Sequence, residues 1–370
     1  MGTDVGMGSD LFDAVVGPVW PGADDVVARL GAGEPERLRD IAVAAVEAVA
    51  GDVVTAWRDG VTAREKSSAH DVVTQTDIET EARLIALLRE WTPAAVFLGE
   101  ESGGEEGSTE EGGGAAGADT GGPGAGIPAG AVCWVIDPID GTSNFVHGLP
   151  DFGISVAAVV DGVPVAGVVC APALGLTWRA WVGGDGAVVS EQRATSSSTE
   201  HGWQPCVSAG RGVESGCALV TDHPHAEALE ASADAAAEFA ELVQAFATVR
   251  RHVCTTVDVC RLASGVHDAV LGPAVKPWDI AAAALIAVGS GAKWLYGGRR
   301  AGVPGPSSAP VARLGGRSDA GPGNGAGSDN DSVLDAPMFV VHAQGASVPT
   351  ARRVLNQMIA RTLPTRSSEQ

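Results

Sequence analysis

The sequence predicts a mixed α/β fold, in which helices at the start lead into an antiparallel meander and then into a second helix-and-strand section. Three observations carry that expectation. From Leu38 the apolar residues Ile41, Ala45, Val46, Val49, Val53 and Trp57 recur at helical spacing, giving an amphipathic helix of about six turns suited to packing across a sheet. Asp161-Gly162 sits between the apolar runs 152–160 and 163–170, a two-residue hairpin signal. An Ala- and Glu-rich helix over 226–247 then precedes a strand at 248–253, a helix at 255–263, strand-like 267–271 and a helix opened by Lys276-Pro277-Trp278-Asp279.

The remaining elements follow in chain order. Residues 1–32 are acidic, Gly-rich and poorly patterned, and read as a flexible arm. A second helix, with Ile78, Ala82, Ile85 and Leu88 on one face, is expected to start at a Thr76-x-x-Glu79 capping box, which puts Asp77 in its first turn. A short strand over 95–99 ends in Glu100-Glu101-Ser102. Residues 176–182 and 187–189 extend the meander, 191–205 reads as a Ser/Thr-rich surface connection, and 218–221 as a strand. A closing strand at 338–342 and a terminal helix at 349–363 complete a domain spanning 33–363, with a tail at 364–370. Two Gly-rich stretches, 103–131 and 298–336, are too polar to pack and read as inserts; deleting 104–126 is expected to leave stability nearly unchanged.

Composition narrows the partners. With 370 residues, 45% of them hydrophobic, the chain can bury a large core. Its net charge of −22 repels nucleic acid and anionic membrane, which removes both as expected partners. The six cysteines form no C-x-x-C pair and read as reduced, mostly buried thiols. The acidic N-terminus has no secretory pattern, and the apolar stretch 153–178 is broken by Asp161-Gly162 and Pro164, so a cytoplasmic location is expected.

The chemistry gathers around Trp134 to Phe145. A buried strand is expected over 133–136, and Pro138 keeps Asp137 out of a helix, so the strand delivers a carboxylate at its end. Asp140 follows, and Gly141-Thr142 allows a sharp turn whose amides can face an anion. Carboxylates this close raise one another's pKa unless a cation lies between them. Glu100, Asp137, Asp140 and Asp279 all stand at element ends and carry the oxygen donors that Mg²⁺ prefers. In a two-metal site, with ions about 3.5–4 Å apart, such donors support in-line phosphate-ester hydrolysis, and an Asp bonded to a Thr hydroxyl can orient the attacking water.

In Lys66-Ser67-Ser68, Asp71-x-Val73-Thr74-x-x-Asp77, Gly99-Glu100-Glu101-Ser102, Trp134-x-x-Asp137-Pro138-Ile139-Asp140-Gly141-Thr142-x-Asn144-Phe145 and Trp278-Asp279, the chain resembles the inositol monophosphatase family of Mg²⁺-dependent, lithium-sensitive phosphatases. The resemblance covers about residues 35–102 and 132–345 and implies a five-layered αβαβα sandwich, assembled as a homodimer, acting on a small phosphorylated metabolite. By position, it implies Glu100, Asp137 and the Ile139 carbonyl as ligands of a first Mg²⁺, and Asp137, Asp140 and Asp279 as ligands of a second. Glu100 also lies near a weaker third. Asp77 and Thr142 resemble the water-activating pair, and the Gly141 and Thr142 amides the phosphate cradle. The chain departs from much of the family at Gly272, where a Glu contacting inositol hydroxyls is common, at Cys254 in place of a Gly, and at Gly289-Ser290-Gly291-Ala292. None of these positions belongs to the metal set, but all bear on the alcohol half of the substrate, for which the resemblance implies inositol monophosphate as the default. Histidinol phosphate, fructose 1,6-bisphosphate and 3′-phosphoadenosine 5′-phosphate are alternatives, and a metal- or phosphosugar-binding regulator without catalysis is the contrasting class.

Overall fold

Residues 13–15, 20–68, 71–102, 127–194, 202–297 and 338–362 are described by the structure, a computed structural model. Nearly all of the first expected insert, the whole of the second, and the tail lie outside them.

The chain starts differently from expectation. The backbone of β1 (Asp13–Val15) pairs antiparallel with 294–296, and α1 (Ala23–Leu30) is a packed helix. Ala23, Val26 and Val27 are buried with Trp20 ahead of them, and Arg29 pairs with Asp161 at the hairpin turn. Over 20–30 the flexible arm is thus corrected to a docked helix, because a few apolar residues on one helical face bury well once a sheet is there to receive them. The surrounding Gly and Asp residues had masked that pattern.

Helix α2 (Glu34–Asp59) begins one turn before Leu38 and buries Leu38, Ala42, Ala45, Val46, Val49 and Val53 along one stripe. Strands β2 (Ala63–Ser68) and β3 (Asp71–Thr74) form a small antiparallel pair that periodicity had not signalled. In α3 (Gln75–Trp91) the cap is Thr74, not Thr76. Thr74 N donates to Asp77 Oδ2 at 2.9 Å, and the Asp77 amide returns to Thr74 Oγ1 at 3.4 Å.

Next come β4 (Val96–Gly99), β5 (Val132–Asp140), the short α4 (Thr142–Val146), β6 (Gly153–Val160), β7 (Val163–Ala171), β8 (Leu176–Val182), β9 (Val188–Ala194) and β10 (Gln204–Pro205). These strands make one sheet in the order β10-β9-β8-β7-β6-β5-β4, antiparallel except for β4 with β5. The β6–β7 turn falls at Asp161-Gly162, both with positive φ, as a tight hairpin requires. Part of the expected 191–205 surface connection is instead strand. Arg179 faces Glu191 across β8 and β9 and bonds it at 2.9 and 2.6 Å, a polar cross-strand pair with no apolar alternation to reveal it.

The second section holds β11 (Ala218–Thr221), α5 (Ala226–Ala231), α6 (Asp234–Ala245), β12 (Thr248–Arg250), α7 (Thr255–Ala263), β13 (Ala269–Gly272), α8 (Pro277–Gly289), β14 (Lys293–Gly297), β15 (Met338–His342) and α9 (Pro349–Thr362). The single helix expected over 226–247 is two, broken where Ser232 turns extended and its Oγ accepts from the Asp234 amide at 3.2 Å. The strands form a six-stranded sheet in the order β1-β14-β15-β13-β11-β12.

Stacking these pieces gives five layers. Helices α2 and α3 cover one face of the seven-stranded sheet, α7 and α8 lie between the two sheets, and α6 and α9 lie on the far side of the six-stranded one. The burial of α8 follows from that position: Ile280 through Val288 are all buried, since sheets press on it from both sides. No helix among the described residues is long and apolar enough to cross a membrane.

Candidate active site

Strand β4 runs parallel to β5 with Gly99 opposite Ile136, so both strands end side by side. The Glu100 amide donates to the Ile136 carbonyl at 3.1 Å, and this sets Glu100 next to Asp137. The sequence expectation ended β5 at the first carboxylate. The strand in fact continues to Asp140, but its register against β6 shifts between Asp137 and Asp140. In that irregular stretch the Ile139 amide donates to Asp137 Oδ1 at 3.1 Å. Gly141 then turns with φ +85°, and a Cβ there would stand 3.0 Å from the Asp151 carbonyl, so only glycine fits the turn into α4.

Two further segments complete the cluster. Asp279 stands in the first turn of α8, with its Oδ2 accepting from the Lys276 amide at 2.7 Å. From the start of α7, Thr256 holds Asp140 Oδ2 through its amide at 2.7 Å and its hydroxyl at 2.6 Å, while the Cys254 thiol approaches at 3.3 Å. Burial pushes the Asp140 pKa up, and the Thr256 and Cys254 hydrogen bonds work against it. Asp137, only 1% exposed, is pushed well above the usual carboxylate range, first by burial and then by the charges of Glu100, Asp140 and Asp279. The three stretches that carry Glu100, Asp137 with Asp140, and Asp279 thus lie together, and the 254–256 segment joins them as a fourth.

Asp77 approaches from another side and is fully buried. Thr142 Oγ1 lies 3.1 Å from Asp77 Oδ1 and 2.9 Å from the Ile139 carbonyl; having one proton, the hydroxyl donates to one of them at a time. Burial raises the Asp77 pKa against the hydrogen bonds from Thr74 and Thr142. A cavity of about 180 Å³ opens over this floor, with Glu100, Asp140, Gly141, Thr142, Asp222 and Asp279 in its wall.

The donors suit a hard divalent cation. They are carboxylate oxygens with a nearby backbone carbonyl, and the mutual repulsion that raises Asp137 is what a cation between the acids would relieve.

Three contributors had escaped the sequence reading. Buried Glu81 accepts from the amides of Glu101 and Ser102 at 2.9 and 2.8 Å and so shapes the turn that carries Glu100. Its carboxylate also explains Gly99, where a Cβ would lie 2.4 Å from Glu81 Cδ. Thr256 grips Asp140, and Asp222 enters the cavity wall from the end of β11 with a buried Oδ1 that has no hydrogen-bond partner. Only the tertiary contact distinguishes Glu81 from an ordinary helix glutamate. Replacing Glu81 with alanine should weaken the binding of a divalent cation at the carboxylate cluster about tenfold, a typical cost of losing support behind a metal-binding side chain. Calorimetric titration with Mg²⁺ measures it, and an unchanged affinity would show that the turn holds itself.

One expectation is reversed. Gly272 was expected in the wall facing the alcohol. It lies in β13 opposite Phe339, and a Cβ there would be 2.1 Å from Phe339 Cε1. The space is taken by an aromatic ring stacked on Trp294 at 4.3 Å.

Fold and site together define a phosphatase of the layered α/β type. The chain belongs to the inositol monophosphatase family, whose sequence model matches residues 34–313, and it is a phosphoric monoester hydrolase. Inositol-1-monophosphatase SuhB of Mycobacterium tuberculosis is 34% identical over 242 residues, covering 65% of this chain and 74% of that protein. The Thermotoga maritima IMPase matches in structure with a TM-score of 0.61 at 20% identity, over 89% of this chain and 100% of that one. An IMPase/NADP phosphatase described as complexed with Mg²⁺ and phosphate matches with a TM-score of 0.57 at 17% identity, over 87% and 96%. Both solved structures bear on the fold alone. The family is metal-dependent.

Proposed function

We propose that the protein hydrolyses small phosphate monoesters with Mg²⁺, with inositol monophosphate as default substrate and two or three ions held by Glu100, Asp137, the Ile139 carbonyl, Asp140 and Asp279. The observation that carries this reading is the convergence of Glu100, Asp140 and Asp279 on buried Asp137, beside the Asp77–Thr142 pair. Bound Mg²⁺ would supply Lewis-acid stabilisation of the charge on the phosphoryl oxygens. The chain does the rest. The Gly141 and Thr142 amides hold the phosphate, ionised Asp77 orients the Thr142 hydroxyl, and the pair positions a water for attack and accepts its proton. Asp222 faces the alcohol half.

Protonated Asp77 can no longer take the proton of the attacking water. Because burial raises its pKa, kcat should fall as the pH drops through a value above that of an exposed carboxylate. A pH profile of kcat tests this, and an acid limb at or below the ordinary aspartate range would remove Asp77 from the role.

The cavity wall includes Glu100, Asp140, Asp222 and Asp279, and this concentration of like charge suits one phosphate rather than two. Inositol 1-phosphate and glycerol 2-phosphate should therefore both react, within about 100-fold in kcat/KM, and bisphosphates should be poor. Asp222→Ala should narrow the gap, mainly through KM. Phosphate release across a panel, with Mg²⁺ and with chelator, decides the matter: a strong preference for histidinol phosphate or a bisphosphate would sink the inositol reading, and activity in chelator would sink the metal. Homodimeric assembly and Li⁺ inhibition belong to the same proposal, tested by sedimentation and by adding Li⁺ to the assay.

A further inference from the structure

Outside the carboxylate cluster, His252, Asp258 and His267 meet where the turn after β12 and helix α7 pack against the start of β13. His252 Nδ1 lies 2.6 Å from Asp258 Oδ1, His267 Nε2 lies 3.7 Å from the same oxygen, and the three donor atoms are all within 4.8 Å of one another. Asp258 is 2% and His267 5% exposed, and His267 Nε2 has no hydrogen-bond partner. A buried imidazole nitrogen aimed at a carboxylate but too far to bond it is costly unless something fills the gap.

We propose that His252, Asp258 and His267 form a second metal site, separate from the catalytic cluster, for a borderline first-row cation of the Zn²⁺ class. Two imidazoles and one carboxylate are the donors such ions choose, whereas the catalytic cluster is all oxygen and suits Mg²⁺. With Zn–N and Zn–O bonds near 2.0–2.1 Å, tetrahedral donors stand about 3.3 Å apart; the separations of 2.6 and 3.7 Å to Asp258 Oδ1 lie within about 1 Å of that, and the two imidazole donors lie within 4.8 Å of each other. A fourth position is open to water, because His252 is partly exposed and both histidines border a depression of about 540 Å³ that gives an entry path.

Three arginines border the depression; Arg250 is exposed to solvent, which screens its charge, and the other two are paired. Arg211 is paired with Asp268 at 2.7 Å, and Arg261 with Asp151 at 2.7 Å. An ion here would also stiffen the 252–256 turn, whose other members reach the catalytic floor. The His252 carbonyl accepts from Asn144 Nδ2, and Thr256 and Cys254 hold Asp140. The site therefore acts as a structural clamp beside the catalytic acids.

The test uses the full chain in excess Mg²⁺, titrated with Co²⁺ and with Zn²⁺. Wild type is expected to show one equivalent of visible Co²⁺ absorption of the intense kind given by nitrogen-containing tetrahedral sites, and a Tm raised by Zn²⁺. His267→Gln should lose the band and weaken Zn²⁺ binding by more than about tenfold while still releasing phosphate with Mg²⁺. His252→Gln, at a more exposed position, should do the same and decides the question if the buried variant does not fold. Absence of the band in wild type, or its persistence in a folded variant, overturns the proposal.

Discussion

Replacing Asp140 with asparagine lowers kcat by at least about a thousandfold, the equivalent of about 4 kcal/mol in the barrier, and leaves the fold intact. The two halves of that expectation have different causes. Turnover is lost because a neutral amide cannot offset the charge of a divalent ion or hold it with the other acids. The fold survives because the asparagine carbonyl can still accept from Thr256, and because the native carboxylate is not a stabilising charge. Burial raises its pKa above the unfolded value, so the ionised form of Asp140 favours the unfolded chain and a neutral isostere relieves that cost. Without metal, the variant should melt at or above the wild-type temperature, and the increase in Tm expected of wild type on adding Mg²⁺ should shrink. Single-turnover phosphate release with melting curves in Mg²⁺ and in chelator separates these effects. Near-normal kcat would remove Asp140 from the metal set.

Gly272→Glu should lower Tm by more than about 5 °C and leave substrate preference unsharpened. The new Cβ would stand 2.1 Å from Phe339 Cε1, and the ring cannot retreat easily, being stacked on Trp294. Overpacking of this kind costs about 1–3 kcal/mol, and a carboxylate forced into the same buried place adds a desolvation cost. Phe339→Ala in the same chain should recover part of the loss. If the single variant instead melted normally and gained preference for inositol 1-phosphate, β13 would have to present this position to the cavity.

Asp140 and Gly272 differ in how much of their placement a linear reading can supply. Asp137, Asp140, Gly141 and Thr142 are close in sequence, so the local turn that joins them fixes much of their geometry, and their type and order were enough to propose a site. Glu100 and Asp279 were legible because each sits at the end of a clear element, where parallel strands and helix starts place side chains together. Glu81, Thr256 and Asp222 were not. Each lies in a segment whose pattern is accounted for by helix or strand formation, and its role exists only through a partner about 20 to 116 residues away.

The sequence by itself determined the helical stripe of α2, the Asp161-Gly162 hairpin, the start of α7 and the acids at element ends, because each depends on local periodicity, turn chemistry or side-chain type. Tertiary structure decided the docking of Trp20 to Leu30, the strand pairing after Glu191, the two-helix break at Ser232, and whether Gly272 faces substrate or an aromatic ring. A glycine carries no side chain to declare its surroundings. What occupies the space beside it is set by the strand across the sheet, here Phe339 on β15, and no spacing within the 272 segment could say so.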